Sequence, residues 1–454
     1  MDYLFQIIYR KKTSKKVTMV NSNIDFLIFV EHTARELDIA SLIKYCIEQK
    51  GSTAEVISLP YCNKNLIKKN YYNVLVVPYC YELGIYQSIL ALFSNIKVIN
   101  LAYEQIFQNI NENLKAPKDE YSKKYVMYHS WSSNYFDYLI KYGVDPANIA
   151  INGNLSYALY KYPYRNYFTS REALANKYNL NPLKKWLFIP ENYGAAFYSE
   201  SIINEKVEKG IDPIDVIKYR EFAIKSLKEV INWCVKVLQE QDIEIIFRPR
   251  PATPYEKMWR FFTDVLPDIP HGIKIIKSHT VREWILASDL IFSSYSTTLI
   301  EAAIAEKPIG MLEPVSFPDY LDSSWYNMVP KIVNYENFAK TIISPSHCSY
   351  QSLKRWAETE MMSSGDPIQG IVNLMLSVKE NGIAIPEIYT KKYERFAFSN
   401  LLYRAFDCCN SLKKMVFVQK SIIIEDYDSD LFTSEDVASR VTRWEKVLNE
   451  NKLS

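Results

Sequence analysis

Short apolar runs alternate with stretches of helical periodicity along most of this chain. Phe26–Val30, Ala54–Ser58, Val74–Val77, Ile96–Leu101, Tyr125–Tyr128 and Ile149–Ile151 are such runs, and helical patterns such as Leu37–Gln49 and Gln87–Phe93 separate most of them. A run that is apolar without alternation reads as a strand covered on both faces, as in a parallel sheet flanked by helices. A second series follows in Trp186–Ile189, Ile245–Phe247, Ile273–Ile276, Leu290–Phe292 and Ile309–Leu312. Tyr160–Pro182, with its prolines and aromatics, reads as the linker between the two. Beyond Pro330 the pattern turns helical, with Ser352–Met362, Ile368–Lys379 and Glu435–Asn449 as helices and Ser434 as the cap of the last. Met415–Val418 and Ile422–Ile424 are apolar enough for a strand or a buried segment. The expected organisation is an arm over 1–24, a first Rossmann-like domain over 25–165, a second over 183–345 and a mainly helical region over 346–454. The fold class is α/β, with two doubly wound domains facing a cleft, and ligands in such sheets bind beyond the carboxyl ends of the strands.

Composition agrees with this division. A chain of 454 residues exceeds what one core usually supports, and its 48% hydrophobic residues fill two. A net charge of +2 argues against a dedicated nucleic-acid binder. The 7 cysteines are scattered and without CxxC spacing, which points to free thiols in a reducing compartment rather than to a zinc site or disulfide framework. No run approaches the ~20 apolar residues of a membrane span, and Tyr3–Tyr9 is too short, with its charge on the wrong side, for a secretory leader. A cytoplasmic protein is the expectation. Arg10, Lys11, Lys12, Lys15 and Lys16 offer a peripheral contact with anionic lipid at ~1 kcal/mol per charge, and a solvated arm explains them equally well.

The chemistry concentrates at strand ends. Glu244–Phe247 leads into Arg248-Pro249-Arg250-Pro251, two arginines held apart by proline. Ser288–Phe292 leads into Ser293, Ser294, Tyr295, Ser296, Thr297 and Thr298, and a helical pattern carrying Glu301 follows at once. Hydroxyls between a buried strand and a helix start stand beside unpaired backbone N–H groups, a site suited to phosphate. Plain capping is the competing duty of Ser294, Ser296, Thr297 and Thr298, and the two are compatible. Arg248 and Arg250 suit a diphosphate or a sugar carboxylate, and Glu301 suits a ribose hydroxyl. Glu191 and Asn192 open a small-residue turn after the first strand of the second series, and His279 precedes a helix as a cap or a nucleobase-side contact. In the first domain Glu31 ends a strand, with Glu36 and Asp38 in the helix that follows. As a general base Glu31 ranks first, Asp38 second and Glu36 third, against a reading in which Arg35, Glu36 and Asp38 form only an ion network at the helix start. Asp428-Ser429-Asp430 looks like a metal-binding acidic pair, but its place after the second sheet favours a solvated loop; neither a metal nor a cofactor is expected.

Val30–Asp38, Tyr103-Glu104-Gln105, Gly153-Asn154 and Ser293–Glu301 followed by Lys307-Pro308 together resemble the two-domain GT-B glycosyltransferases of bacterial surface-carbohydrate biosynthesis, within them the enzymes for Kdo and sialic-acid-like sugars. The blocks are scattered over roughly 25–318. The resemblance implies a nucleotide-sugar donor, CMP-activated and acidic among the options, and a glycan or lipid-linked glycan acceptor. It also implies metal-independent, inverting transfer with a carboxylate base from the first domain. Such enzymes carry His-Pro where this chain has Arg248-Pro249, so an arginine supplies permanent charge in place of a histidine. Two alternatives stay open: a CDP-glycerol-type glycerophosphotransferase, and a non-catalytic partner of a polysaccharide assembly complex.

Overall fold

The computed structural model describes residues 23–59, 70–90, 93, 95–106, 113–208, 210–318, 321–345, 349–363, 365–386 and 431–450. The basic cluster Arg10–Lys16, the apolar runs Met415–Val418 and Ile422–Ile424, and the acidic Asp428–Asp430 lie outside the described residues.

The first sheet contains β1 (Asn23–Val30), β2 (Ala54–Ser58), β3 (Tyr71–Val77), β4 (Lys97–Asn100), β5 (Val126–Ser130) and β6 (Ile149–Ile151). The second contains β7 (Lys185–Pro190), β8 (Ile243–Arg248), β9 (Ile273–Ile275), β10 (Leu290–Ser293), β11 (Ile309–Leu312) and β12 (Lys331–Ile332). Both are six-stranded and parallel throughout, in the orders β2-β1-β3-β4-β5-β6 and β12-β11-β10-β7-β8-β9. The second order is the doubly wound Rossmann arrangement, and the first has the flavodoxin-like reversal. The fold is therefore α/β of the GT-B type. Strand order reverses between β1 and β3 in one sheet and between β7 and β10 in the other, so each sheet opens a crevice beyond those strands. Phe26–Val30 and Leu187–Ile189 are buried on both faces, which is why they read as unbroken apolar runs.

Differences from the sequence reading are local. The short strand β12 carries too few apolar residues to register as a strand, and the region read as a linker is structured, with a helix over Arg171–Tyr178 capped by Ser170. The helix after β1 spans Thr33–Glu48 and so begins earlier than its apolar pattern. In the last helix, Ser434–Glu450, the N-terminal cap is Thr433 rather than Ser434: Asp436 N–H donates to Thr433 Oγ1 at 3.2 Å, and Thr433 N–H donates to Asp436 Oδ2 at 2.8 Å.

That last helix and Pro367–Asn381 return to the first domain's core, alongside Thr33–Glu48. Trp444 is fully buried there and stacks on Tyr167 with ring centroids 3.8 Å apart. Its indole N–H donates to the Asp38 carbonyl at 2.9 Å. Such a return crosses from the second domain's side of the chain and ties the two halves together. No helix among the described residues is long and apolar enough to cross a membrane.

Candidate functional site

At the crevice of the first sheet, Glu31 follows β1 and Pro78 follows β3. They line a cavity of about 340 Å³ with Tyr79, Tyr81, Asn100 and Tyr135. The loop that presents Glu31 is held from below by Glu36, whose carboxylate is fully buried. Glu36 Oε2 accepts from the backbone N–H of Glu31 at 2.8 Å and of His32 at 3.3 Å, and its Oε1 accepts from Arg35 Nη2 at 2.9 Å. The Glu31 carboxylate itself is 28% exposed and lies 3.8 Å from His32 Nε2. Burial pushes its pKa above the ordinary carboxylate value, against the opposing pull of His32 and Arg35. Asp38, two residues beyond Glu36 along the helix, lines a different cavity. Its Oδ1 accepts from the Tyr167 hydroxyl and from Arg440 Nε, each at 3.0 Å. The three carboxylates are thus unequal: Glu36 braces the loop, Asp38 anchors the last helix, and Glu31 faces the crevice.

At the crevice of the second sheet the hydroxyl run divides in two. Ser293 Oγ donates to the Pro190 carbonyl at 2.7 Å, joining β10 to β7, and Ser294 is buried beside it. Ser296, Thr297 and Thr298 line the cavity instead, with Thr298 N–H donating to Ser296 Oγ at 3.3 Å. Asn192 Nδ2 donates to the Tyr295 carbonyl at 3.3 Å and ties the two crevice turns to each other. Glu191, 4% exposed, accepts from Arg250 N–H at 3.2 Å, from Thr253 Oγ1 at 3.1 Å and from Tyr193 N–H. Burial raises its pKa, and these donors oppose the rise. Glu191 is therefore a staple of the Arg250 turn at the cavity wall. A Cβ on Gly194 would stand 2.8 Å from Arg250 Nη1, so glycine lets that guanidinium lie against the loop.

Arg248 is buried rather than a solvated strand end. Its Nε and Nη2 donate to the His279 carbonyl at 3.1 and 2.9 Å, and burial lowers its pKa to about 10 while Glu283 and Glu301 hold it up. His279 takes a left-handed φ of 65°, which turns its carbonyl to the arginine. Its ring is engaged elsewhere, with Nδ1 3.2 Å from Glu283 Oε1 and Nε2 3.2 Å from Lys177 Nζ. Glu301 Oε2 accepts from the Tyr160 hydroxyl at 2.6 Å at the cavity edge.

The second-domain cavity, about 590 Å³, is closed from the other side by first-domain residues including Arg35, Glu104, Gln105, Trp131 and Asn154. Arg35 and Glu104 line both cavities, so the two adjoin at that pair. Arg35 Nη1 meets Glu104 Oε1 at 2.9 Å. Burial would raise the Glu104 pKa, but Lys115 and Arg35 hold it down at about 2. Arg282 was not singled out in the sequence. It is 3% exposed, lines the cavity, donates from Nη2 to Ser156 Oγ at 3.3 Å and lies 5.4 Å from the Tyr160 ring centroid. Its helix position gave no signal, because only the tertiary fold brings Ser156 and Tyr160 beneath it. Among the described residues no cluster of His, Cys, Asp and Glu is placed to hold a metal ion.

No protein-family model matches this chain, and no curated protein sequence matches it. Solved structures do. A variant of the wall teichoic acid polymerase TagF is 11% identical, with 84% of this chain and 96% of that one covered and a TM-score of 0.49. A putative UDP-N-acetylglucosamine 2-epimerase from Listeria monocytogenes is 12% identical, with 79% and 97% covered and a TM-score of 0.47. The S. aureus MnaA–UDP structure is 14% identical, with 80% and 98% covered and a TM-score of 0.47.

Proposed function

We propose that this protein is a transferase that takes a nucleotide-linked donor in the second-domain crevice and moves a group from it to an acceptor hydroxyl presented by the first domain. The observation that carries this reading is the meeting of the two cavities at Arg35 and Glu104. One cavity holds Glu31, and the other holds Ser296, Thr297, Thr298, Arg248 and Arg250. An in-line displacement needs an acceptor base and leaving-group donors on opposite sides of the reacting centre. Glu31 fills the first role: burial that raises its pKa makes it a better proton acceptor once ionised. The hydroxyl turn and the arginines fill the second, and the buried guanidinium of Arg248 stands in a low-dielectric wall where its charge is poorly screened. The transferred group on this reading is a sugar, and the positive character at the leaving phosphate comes from side chains, without a divalent ion.

A screen of CMP, CDP, UDP and GDP by thermal shift tests the donor half. One nucleotide at 100 times its Kd stabilises the chain by ~2.7 kcal/mol; equal, null responses to all of them reject the reading.

Transfer of glycerophosphate from CDP-glycerol is the second reading. A histidine in the same cavity favours it: His32 Nε2 lies 3.8 Å from the Glu31 carboxylate, and an imidazole is a suitable base for the acceptor hydroxyl in phosphoryl transfer. The two readings separate on the product: phosphorus labelled next to the glycerol of CDP-glycerol enters the acceptor in one and never in the other.

A further inference from the structure

Beyond the donor crevice the interdomain cleft continues into a separate lobe of about 670 Å³. Ala34, Arg248, Pro251 and Thr280 line both spaces, so Arg248 stands in the wall between them. The far side of the lobe is built by Arg440 and Arg443 of the Ser434–Glu450 helix, and its floor includes Lys277 from the loop after β9. Two carboxylates also face it, and both are engaged. Asp38 accepts from Tyr167 and Arg440. Glu283 accepts from Thr280 N–H at 2.8 Å and from the Thr169 hydroxyl, and lies 3.2 Å from His279 Nδ1. Arg248, Lys277, Arg440 and Arg443 therefore outnumber the two carboxylates, and Asp38 is met by Arg440 itself, so the lobe keeps an excess of positive charge. The rest of the lining is hydroxyl and aromatic: Thr33, Thr169, Ser278 and Ser439 with Tyr167 and Phe168. Arg443 lies over the Tyr167 ring at 4.6 Å from its centroid.

We propose that this lobe is a second binding site, distinct from the donor crevice, for an acidic saccharide whose carboxylate or phosphate is held between Lys277 and the Arg440–Arg443 face of the last helix. The volume falls in the ~300–1,000 Å³ range of small-molecule sites. Forked guanidinium donors suit an oxyanion, and hydroxyls suit a polyol. The site exists only while the last helix is docked on Asp38, because that contact brings Arg440 and Arg443 opposite the second domain. Calling the saccharide the acceptor, or the product chain, rests on the transferase reading; the site itself does not.

Titration calorimetry on the full chain tests the site, with and without the nucleotide chosen by the thermal-shift screen. Digalacturonate supplies the carboxylate arm and glucose 6-phosphate the phosphate arm, with the methyl ester of digalacturonate and glucose as neutral controls. At least one charged ligand binds saturably while its neutral counterpart does not, and which one binds identifies the anion. In the Lys277→Ala/Arg443→Ala double variant that affinity drops by about tenfold or more, nucleotide affinity stays as in the parent, and Arg443→Lys recovers part of the loss. The site is refuted if neither charged ligand binds, if charged and neutral ligands bind alike, or if the double variant binds the charged ligand normally. A failed nucleotide screen alongside charge-dependent, Arg443-dependent saccharide binding would overturn the donor reading and leave this site standing.

Discussion

The buried carboxylate of Glu36 accepts the backbone N–H of Glu31 at 2.8 Å, so a residue with no access to the cleft fixes the direction of the one that faces it. Replacing Glu36 with Ala leaves two backbone donors and Arg35 Nε and Nη2 without their acceptor, while Arg35 Nη1 keeps Glu104. Each orphaned donor costs ~1–3 kcal/mol, so urea unfolding should show a marked fall in midpoint. A midpoint within error of the parent would mean that water or another acceptor replaces the carboxylate.

If Glu31 is the base, as proposed, the acid limb of activity reports on it directly. Burial raises its pKa above the ordinary 4.5, so the base loses its ionised form at a higher pH than a solvated glutamate would, and the fall in kcat/KM on acidification starts correspondingly early. The sign for stability is opposite. A carboxyl with a raised folded-state pKa contributes stability below its unfolded value, and that contribution is lost as pH rises through the folded one. Glu31→Gln should therefore be at least as stable as the parent at pH 7 while its acid limb disappears, which thermal melts at pH 5 and pH 7 will check. A variant less stable at pH 7 would assign Glu31 to the scaffold.

Arg248 and the His279 carbonyl make a forked contact that lysine cannot copy. Arg248→Lys keeps the charge but loses the fork that fixes it in the cleft wall, so nucleotide binding should weaken, by up to the ~1.5–3 kcal/mol of a charged hydrogen bond. Titration of the nucleotide from the thermal-shift screen measures it, and an unchanged Kd removes Arg248 from the donor site.

The last helix depends on Trp444. Its fully buried ring stacks on Tyr167 and its N–H binds Asp38, so Trp444→Ala should cost ~3–5 kcal/mol in unfolding experiments. A loss below ~1 kcal/mol would mean the helix contributes little to the first domain's core.

On the proposed transferase reading turnover should persist in EDTA, since that reading gives the positive character at the leaving phosphate to the arginines and the hydroxyl turn. Loss on chelation with recovery on adding magnesium or manganese would return attention to Asp428–Asp430.

The sheets were legible because buried parallel strands are apolar on both faces, as Phe26–Val30 and Leu187–Ile189 show. The crevice residues were legible for a related reason: a polar group directly after such a strand stands at its carboxyl end, which located Glu31, Arg248 and the Ser293–Thr298 run. What those residues do locally was not legible. Ser293 bonds Pro190, Glu191 staples Arg250 and Thr253, and Asp38 holds Arg440, all through partners distant in sequence. Arg282, Arg440 and Arg443 sit on helices whose pattern shows an ordinary charged face. Their cleft position exists only after the second domain and the last helix have packed.

Glu31→Gln is the most direct test of the central claim, because it keeps the side-chain volume and removes the proton acceptor. With donor and acceptor in hand, turnover should fall by the ~100- to 10,000-fold typical of lost acid–base help while nucleotide affinity stays near that of the parent. Asp38→Asn, measured beside it, should retain turnover to the extent that the last helix stays docked. Near-normal turnover in Glu31→Gln with a dead but folded Asp38→Asn would move the base to Asp38, and full activity in both would contradict a catalytic first-domain crevice altogether.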